Sequence, residues 1–222
     1  IDLNISVSNR VKNELHLYQN YFPKQEYVLY NGVDRTKFYD MNVVKSTDQF
    51  NIGCIANFWE IKDQISLIKA IELFIEDGIA NIELKLIGSG KKLDFCKQYV
   101  KDNNLEEYIY FEKERKHSEL NIFYNQLALF VLPSYYEALG CVSLEAWATN
   151  IPVISIEGQG FSELVEEDER NKLLAKRISP ESLKERIFGE YIRRRRYPFD
   201  EKYDIRRIIS DFLELNIFRY ND

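Results

Sequence analysis

Short apolar segments alternate with longer amphipathic segments along most of the 222-residue chain. Six segments from residue 26 onward are short, apolar and rich in β-branched or aromatic residues, which predicts strands buried on both faces. These segments are Tyr27–Tyr30, Phe50–Ala56, Ile82–Ile87, Tyr108–Phe111, Ala128–Leu132 and Pro152–Ile156. The chain opens with Ile1 instead of Met, directly in a strand-like alternation, as an excised fragment would.

Apolar residues in the intervening segments recur every three or four positions, which predicts helices. The predicted helices are Asp63–Asp77, Lys91–Asp102, Ser118–Asn125, Gly140–Thr149, Pro180–Arg196 and Glu201–Phe218. Residues 1–22 are predicted to form a strand and a helix. Strand–helix alternation predicts right-handed βαβ units, and therefore an α/β fold with a doubly wound, Rossmann-like parallel sheet. Ligands bind such sheets beyond the carboxyl ends of the strands.

Composition and charge narrow the class of protein. Apolar residues make up 45% and charged residues 30% of the chain, which is typical of a soluble globular domain. The net charge of −6 argues against nucleic-acid binding, which needs a basic surface. Three cysteines without a C-x-x-C pair disfavour a disulfide framework or a zinc site and fit a reducing cytoplasm.

One strongly basic block, Arg193–Arg196, interrupts this acidic chain. Such a run is usually the solvated face of a surface helix. The alternative is a contact with anionic lipid headgroups, which would place the protein peripherally on a membrane. No apolar run approaches the roughly 18 residues that a membrane span requires.

The segment from Pro133 to Ala146 carries the strongest candidate chemistry. It follows a predicted strand, passes through a loop with Glu137 and opens a helix near Gly140. The free N–H groups and positive dipole end of that helix would face the carboxyl edge of the sheet, which suits a phosphate or diphosphate. Because Gly140 has no side chain, a ligand can approach its backbone closely.

Two carboxylates flank this predicted anion site, Glu137 in the loop and Glu145 about two turns into the helix. Neither would bind a phosphate, but both can accept hydrogen bonds from the hydroxyls of a sugar or ribose. An ordinary loop glutamate and helix-surface glutamate would have the same spacing, so the pattern by itself leaves both interpretations open.

The segment resembles the E-x7-E motif of the retaining GT-B glycosyltransferases, in particular their family 4. Three further blocks resemble that family in the same order along the chain. They are Asn31-Gly32-Val33-Asp34, Ile87-Gly88-Ser89-Gly90 and Pro152-Val153-Ile154. The resemblance covers residues 1–215 approximately and implies the C-terminal, donor-binding half of a GT-B fold.

The resemblance also implies roles for single residues. Glu137 would bind hydroxyls of the donor sugar, Glu145 the ribose of the nucleotide, and Lys62 the diphosphate, whose developing negative charge a cation stabilises. The remaining implied contacts to the nucleoside-diphosphate sugar, a UDP-sugar for example, are Asn57, Gly88, Leu139, Gly140, Cys141 and Val142. The implied reaction is transfer to an acceptor hydroxyl with retention, in cell-surface polysaccharide biosynthesis, without a metal or other cofactor.

A GT-B enzyme needs two domains, and the resemblance divides this chain accordingly. Residues 1–22 would be a remnant of the N-terminal acceptor domain and its linker, 23–196 the nucleotide-sugar domain, and 197–222 a crossover helix. We therefore expect the chain alone to be inactive, since the acceptor glycan, or a lipid-linked one, would bind through the N-terminal domain. The expected location is the cytoplasm, with possible attachment at the inner face of the plasma membrane.

Several positions depart from the family pattern. Asn57 stands where the family often has arginine, which removes one charge near the diphosphate. Lys113 replaces a glycine close to the usual nucleobase pocket, so no base preference is predicted. Asn150 replaces another glycine, and Gly158-Gln159-Gly160 separates two glycines that are usually adjacent near the donor sugar.

Two other classes of function remain open. A stand-alone, non-catalytic sugar-nucleotide sensor would show the same binding residues. A dinucleotide-binding domain is disfavoured, because Gly88-Ser89-Gly90 lacks the third glycine of that fingerprint. His16 and His117 belong to no metal-ligand pattern, and we expect both to be surface residues.

Overall fold

Eight strands form two parallel sheets in the structure, a computed structural model that describes residues 1–45 and 47–215. A two-stranded sheet pairs β1 (Leu3–Ser6) with β2 (Gln25–Val28). The six-stranded sheet has the order β5-β4-β3-β6-β7-β8. Its strands are β3 (Phe50–Ile55), β4 (Ile82–Ile87), β5 (Ile109–Glu112), β6 (Leu129–Val131), β7 (Val153–Ile156) and β8 (Leu174–Ala175).

Eight α-helices and four 3-10 turns connect and follow the strands in the described part of the chain. The helices are α1 (Asn9–Leu15), α2 (Gln64–Glu76), α3 (Leu93–Asp102), α4 (Leu120–Gln126), α5 (Cys141–Trp147), α6 (Arg170–Leu173), α7 (Pro180–Arg193) and α8 (Ile205–Glu214). The 3-10 turns are Glu60–Lys62, His117–Glu119, Gly160–Glu163 and Glu201–Tyr203. None of the described helices is long and apolar enough to cross a membrane.

The predicted doubly wound parallel sheet is confirmed. Strands β6 and β7 are buried along their whole length, as expected for strands covered by helices on both faces. Strand β3 lies in the middle, between β4 and β6. The chain leaves β3 towards β4 and β5 and then returns to β6 on the other side, so a crevice opens between the loops that follow β3 and β6.

Three predicted elements differ in the structure. Strand β2 pairs only with β1 and not with the main sheet. The helix predicted over Pro180–Arg196 ends at Arg193, because Arg194 adopts a left-handed conformation. The last predicted helix is a 3-10 turn followed by α8, and its predicted end, Phe218, lies outside the described residues. Elements β8 and α6 were not predicted, because two and four residues are too few to show a period.

The four-arginine run is bound to its own domain. Each of its side chains has an intramolecular partner, so the run is not a free basic patch for lipid headgroups. The partners are Glu190 for Arg193, the Thr47 carbonyl for Arg194, Glu190 and Glu169 for Arg195, and Asp40 for Arg196. Glu190 itself is buried. The contacts with Glu169, Asp40 and the Thr47 carbonyl join the segment after α7 to the rest of the domain.

Helix α1 is bound to two loops at the carboxyl edge of the main sheet. The Ser8 hydroxyl donates to the Ala138 carbonyl at 2.7 Å. The Glu163 carboxylate accepts the backbone N–H groups of Asn9 and Arg10 at 2.8 and 2.7 Å, and so caps the start of the helix. The segment before β2 is therefore tied to the loop that carries the candidate motif.

The ion pair at Glu169 predicts a pH-dependent stability. Hydrogen bonds from Arg195, and then from Lys172, lower the pKa of Glu169 from 4.5 to about 2. Since the folded-state pKa is the lower one, this carboxylate stabilises the fold above about pH 4.5, and the contribution is lost as the pH falls towards 2. We expect Glu169→Gln to lower the free energy of unfolding by about 2 kcal/mol at neutral pH.

Urea denaturation at a series of pH values measures this difference. The gap between wild type and Glu169→Gln should close below pH 4.5. Glu167→Gln is a matched control, because its side chain is 93% exposed and should change stability little. A gap that stays constant down to pH 2 would contradict the assignment.

Candidate functional site

A cavity of about 530 Å³ opens at the crevice between the loops after β3 and β6. The loops after β4 and β5 close its sides. Backbone and side chains from all four loops form its wall. The lining residues are Ile55, Ala56, Asn57, Lys62, Ile87, Gly88, Glu114, Arg115, Leu120, Leu132, Glu137, Gly140, Cys141 and Val142. The cavity lies beyond the carboxyl ends of the strands, where ligands bind sheets of this kind.

Lys62 and Glu137 meet across this cavity. Lys62 ends the 3-10 turn after β3, and its Nζ lies 2.5 Å from Oε2 of Glu137 in the loop after β6. The Gln64 side chain fixes the turn by donating to the carbonyls of Ala56 and Asn57 at 3.2 and 3.1 Å. A cation and a carboxylate, both largely buried, are therefore held together at the floor of the crevice.

Two glycines permit the close backbone approaches around the cavity. Gly88, with φ +146°, lies so near the β3 loop that a Cβ there would be 2.2 Å from the Ala56 carbonyl oxygen. Gly140 precedes α5 with φ +87°, a conformation that other residues adopt at a cost. Gly140 and the first two residues of α5, Cys141 and Val142, line the cavity.

Two hydrogen bonds join the Glu137 loop to the loop after β7. The Glu137 N–H donates to Oε1 of Gln159 at 2.9 Å, and the Gly160 N–H donates to the Glu137 carbonyl at 3.2 Å. The Gln159 side chain is buried. Gln159 was singled out in the sequence because it separates two glycines, but its support of Glu137 was not predicted. Both polar groups of the Glu137 backbone are thus fixed.

Glu145 is not an ordinary helix-surface glutamate. Its side chain is only 13% exposed, and its two oxygens contact His117 Nε2 at 3.0 Å and the Tyr124 hydroxyl at 2.9 Å. The His117 ring packs edge-on against Phe38. Burial, and then the Glu145 carboxylate, raise the pKa of Tyr124 well above its ordinary value, so this hydroxyl stays a donor. Glu145 is held at the edge of the site in one orientation.

The structure places seven of the nine predicted site residues on the cavity wall. The seven are Asn57, Lys62, Gly88, Glu137, Gly140, Cys141 and Val142. Leu139 does not line the cavity, because its side chain is buried in the core. Glu145 does not line it either, and its carboxylate contacts His117 and Tyr124. The roles of all nine residues stay predictions, since geometry alone does not assign them.

Two charged residues on the cavity wall, Glu114 and Arg115, were not predicted. Both residues closely follow the carboxyl end of β5, and this position was the one feature of the sequence that could have indicated them as site residues. Arg115 packs over the Phe123 ring at 4.9 Å, and its Nε donates to Glu112 at 3.0 Å. Within residues 1–45 and 47–215, no three His, Cys, Asp or Glu side chains are grouped as metal ligands would be.

The sequence model of the family "Glycosyl transferases group 1" matches residues 37–188, which is more than half of the chain and includes every strand of the main sheet. The chain belongs to this family. Solved structures of GT-B glycosyltransferases share its fold, and the match is consistent with the C-terminal domain of such an enzyme. The family resemblance predicted from the motifs is confirmed.

Three relatives illustrate the match of this group 1 domain. The capsular polysaccharide biosynthesis glycosyltransferase CapM of Staphylococcus aureus is 28% identical over 161 residues, 66% of this chain and 40% of CapM. The C-terminal domain of LpcC from Francisella tularensis superimposes with a TM-score of 0.62 at 20% identity, over 82% of this chain and 98% of that domain. HepE of Anabaena, solved with UDP and glucose, superimposes with a TM-score of 0.75 at 17% identity. The match covers 96% of this chain and 62% of HepE.

The group 1 domain is only part of the proteins it resembles. The chain spans less than half the length of the first curated relatives that it matches. The LpcC domain, in contrast, is covered almost completely. The activity of a whole enzyme is therefore a matter of proposal for this chain.

The buried hydrogen bond between Tyr124 and Glu145 yields a stability prediction. In Tyr124→Phe, one oxygen of a nearly buried carboxylate loses its donor, so we expect a loss of about 1–3 kcal/mol in the free energy of unfolding. Urea denaturation measures it. Tyr110→Phe is the matched control, because that ring is 41% exposed and its change should stay within about 0.5 kcal/mol. Equal effects of the two variants would contradict the buried pairing.

Proposed function

We propose that this chain is the donor-binding half of a retaining glycosyltransferase that uses a nucleoside-diphosphate sugar. One observation carries the proposal: a single cavity at the crevice of a group 1 domain is lined by a lysine, a carboxylate and the residues that begin α5. A sugar nucleotide offers matching chemistry, with negative phosphates between two hydroxyl-rich rings.

The parts of the donor can be assigned to residues of the cavity wall and to Glu145, which lies outside that wall. The backbone amides from Gly140 to Val142 and the Lys62 ammonium would bind the diphosphate. Glu137 would accept hydrogen bonds from the sugar, and Glu145 from the ribose. Binding would then exchange the Lys62–Glu137 contact for a cation–diphosphate contact and a carboxylate–hydroxyl contact. Neither charge would be left unpaired.

The reaction implied by the family resemblance needs no protein nucleophile. The acceptor oxygen forms a bond to the anomeric carbon on the face from which the diphosphate departs. The bond between that carbon and the phosphate oxygen breaks, and the acceptor proton passes to the departing phosphate. Lys62 would stabilise the charge that develops on the diphosphate, and no metal is part of the proposal.

The proposed context is assembly of a bacterial surface polysaccharide in the cytoplasm. The name of CapM, a relative over two thirds of the chain, supports this context. The four-arginine run no longer supports attachment at the membrane, because each of its side chains has a partner within the domain. An acceptor glycan or lipid-linked glycan would reach the donor from a second domain.

The division into 1–22, 23–196 and 197–222 is part of the same proposal. None of the residues of α8 is buried within the described chain, although its apolar side chains include Ile209 and Leu213. A helix with an uncovered apolar face suits a crossover to another domain. Two residues of segment 1–22 contact the loops next to the donor site, as a linker between the two halves would. The Ser8 hydroxyl donates to the Ala138 carbonyl, and the Arg10 N–H donates to the Glu163 carboxylate.

A nucleotide-binding panel tests the donor site. Thermal shift and NMR titration with UDP-, GDP- and ADP-sugars should show binding to one base class. Glu145→Gln and Lys62→Ala should each weaken that binding about tenfold or more, as expected for the loss of a charge-assisted hydrogen bond. Glu76→Gln, an exposed substitution on α2, should leave the affinity unchanged. Failure of every nucleotide to bind would contradict the proposal.

The second test concerns transfer. With donor and a saccharide acceptor, the 222-residue chain should release no glycosylated product above the buffer background, because half of the catalytic cleft is supplied elsewhere. The same domain within a two-domain polypeptide should transfer the sugar. Robust transfer by this chain alone would refute its role as a half. A two-domain form that binds donor and transfers nothing would favour the regulatory module instead.

A further inference from the structure

A second cavity, of about 410 Å³, shares one turn with the donor cavity. Residues 59–64 form this turn: Lys62 faces the donor cavity, whereas Trp59 and Asp63 line the second one. The Tyr135 N–H donates to the Ile61 carbonyl at 3.0 Å and joins the turn to the Glu137 loop. The other walls come from the starts of α2, α3 and α7.

The rim of this cavity exposes large apolar side chains. Trp59 is 46% exposed, Phe95 55% and Ile178 57%. Lys91 and Lys92 lie over the Trp59 and Phe95 rings, at 5.4 and 5.6 Å from their centroids. Large apolar groups exposed together around a concavity mark a place where a ligand or partner binds.

Backbone strain occurs at the same rim. Ile178 has φ +50°, in the left-handed region, which a β-branched residue adopts rarely and at a cost. The side chain of this residue is 57% exposed beside the cavity, so its burial does not offset the cost of the strain. Backbone strain of this kind clusters at active sites and ligand-binding sites.

A buried carboxylate at the cavity wall lacks part of its hydrogen bonding. Asp63 is 7% exposed, and its Oδ2 has no hydrogen-bond partner within the described part of the chain. Burial raises the pKa of this carboxyl group. Buried polar atoms are almost always satisfied, so an unpaired oxygen at a cavity indicates a missing donor. A hydroxyl group that enters the cavity would supply it.

We propose that this second cavity is a saccharide subsite for the acceptor glycan. The inference rests on the proposed function, because the subsite would hold a glycan whose end reaches the donor sugar beside Glu137. Aromatic rings stack against the apolar faces of pyranose rings, while carboxylate and ammonium groups hydrogen-bond their hydroxyls. Trp59 and Phe95 would be the stacking platforms, and Asp63 would accept from a hydroxyl.

The charges at the rim favour a glycan over a membrane surface. Lys92 is paired with Glu60 at 2.5 Å, and Lys69 and Asp63 also line the cavity, so carboxylate and ammonium groups are mixed there. An anionic membrane is contacted by surfaces on which basic groups predominate. A neutral ligand rich in hydroxyls can use both signs of charge.

The two tryptophans of the chain provide a direct reporter. Trp147 is buried, and its indole N–H donates to the Pro198 carbonyl at 2.9 Å, whereas Trp59 is open to solvent. The chain is first screened on an array of bacterial surface glycans, and bound glycans are then titrated by NMR of the two indole N–H groups. The Trp59 signal should shift and the Trp147 signal should not.

Substitutions separate the subsite from the donor site. Trp59→Ala and Phe95→Ala should each weaken glycan binding about three- to tenfold, as measured by calorimetry, and leave UDP affinity unchanged. Phe188→Ala is the matched control, since that ring is 44% exposed on α7 and does not line the cavity. It should change neither affinity.

Other results would contradict either the saccharide subsite or the proposed function. A chain that binds UDP but no glycan, or whose glycan binding survives Trp59→Ala and Phe95→Ala, has no subsite here, and the donor proposal stands. Binding to vesicles of phosphatidylglycerol and phosphatidylethanolamine that Trp59→Ala abolishes would make the rim a membrane contact instead. If neither UDP nor a glycan binds, the proposed function itself fails.

Discussion

The parallel pairing of β3 with β6 determines where the candidate chemistry lies. Ile52 pairs with Leu129 and Gly53 with Phe130, so both strands end at the same edge of the sheet. The connections from these two strands run in opposite directions, and the loops cannot cover the space between them. Lys62 and Glu137, which are far apart in the chain, meet there as a direct consequence. The backbone amides at the start of α5 reach the same crevice.

Several charged side chains of the candidate site already contact partners within the domain. Lys62 contacts Glu137, His117 contacts Glu145, and Arg115 contacts Glu112. An unpaired charge in such a half-buried place would cost several kcal/mol, and pairing avoids that cost in the empty domain. A ligand must therefore replace existing partners with equivalent ones. This requirement selects molecules that offer negative charge and hydroxyl groups at the correct separation.

The sequence was sufficient for the fold and for half of the residues that line the cavity, because strand periodicity and the order of motifs are local signals. It was insufficient wherever an answer depended on a distant partner. The engagement of Glu145 by His117 and Tyr124 joins three elements, and no spacing along the chain encodes it. The pairing of Arg195 with Glu169 and of Arg196 with Asp40 is equally non-local. The support of Glu137 by Gln159 could be suspected only from an interrupted pair of glycines.

The contacts of α1 restrict where this domain can be joined to another protein. Ser8 and the backbone of Asn9 and Arg10 are bound to Ala138 and Glu163, on two different loops. The beginning of the chain is thus part of the scaffold under the motif loop. A chimera would exchange this domain for the corresponding domain of another protein. Here the exchanged piece would have to include the first 22 residues, because a junction after them would pair one parent's helix with the other parent's loops.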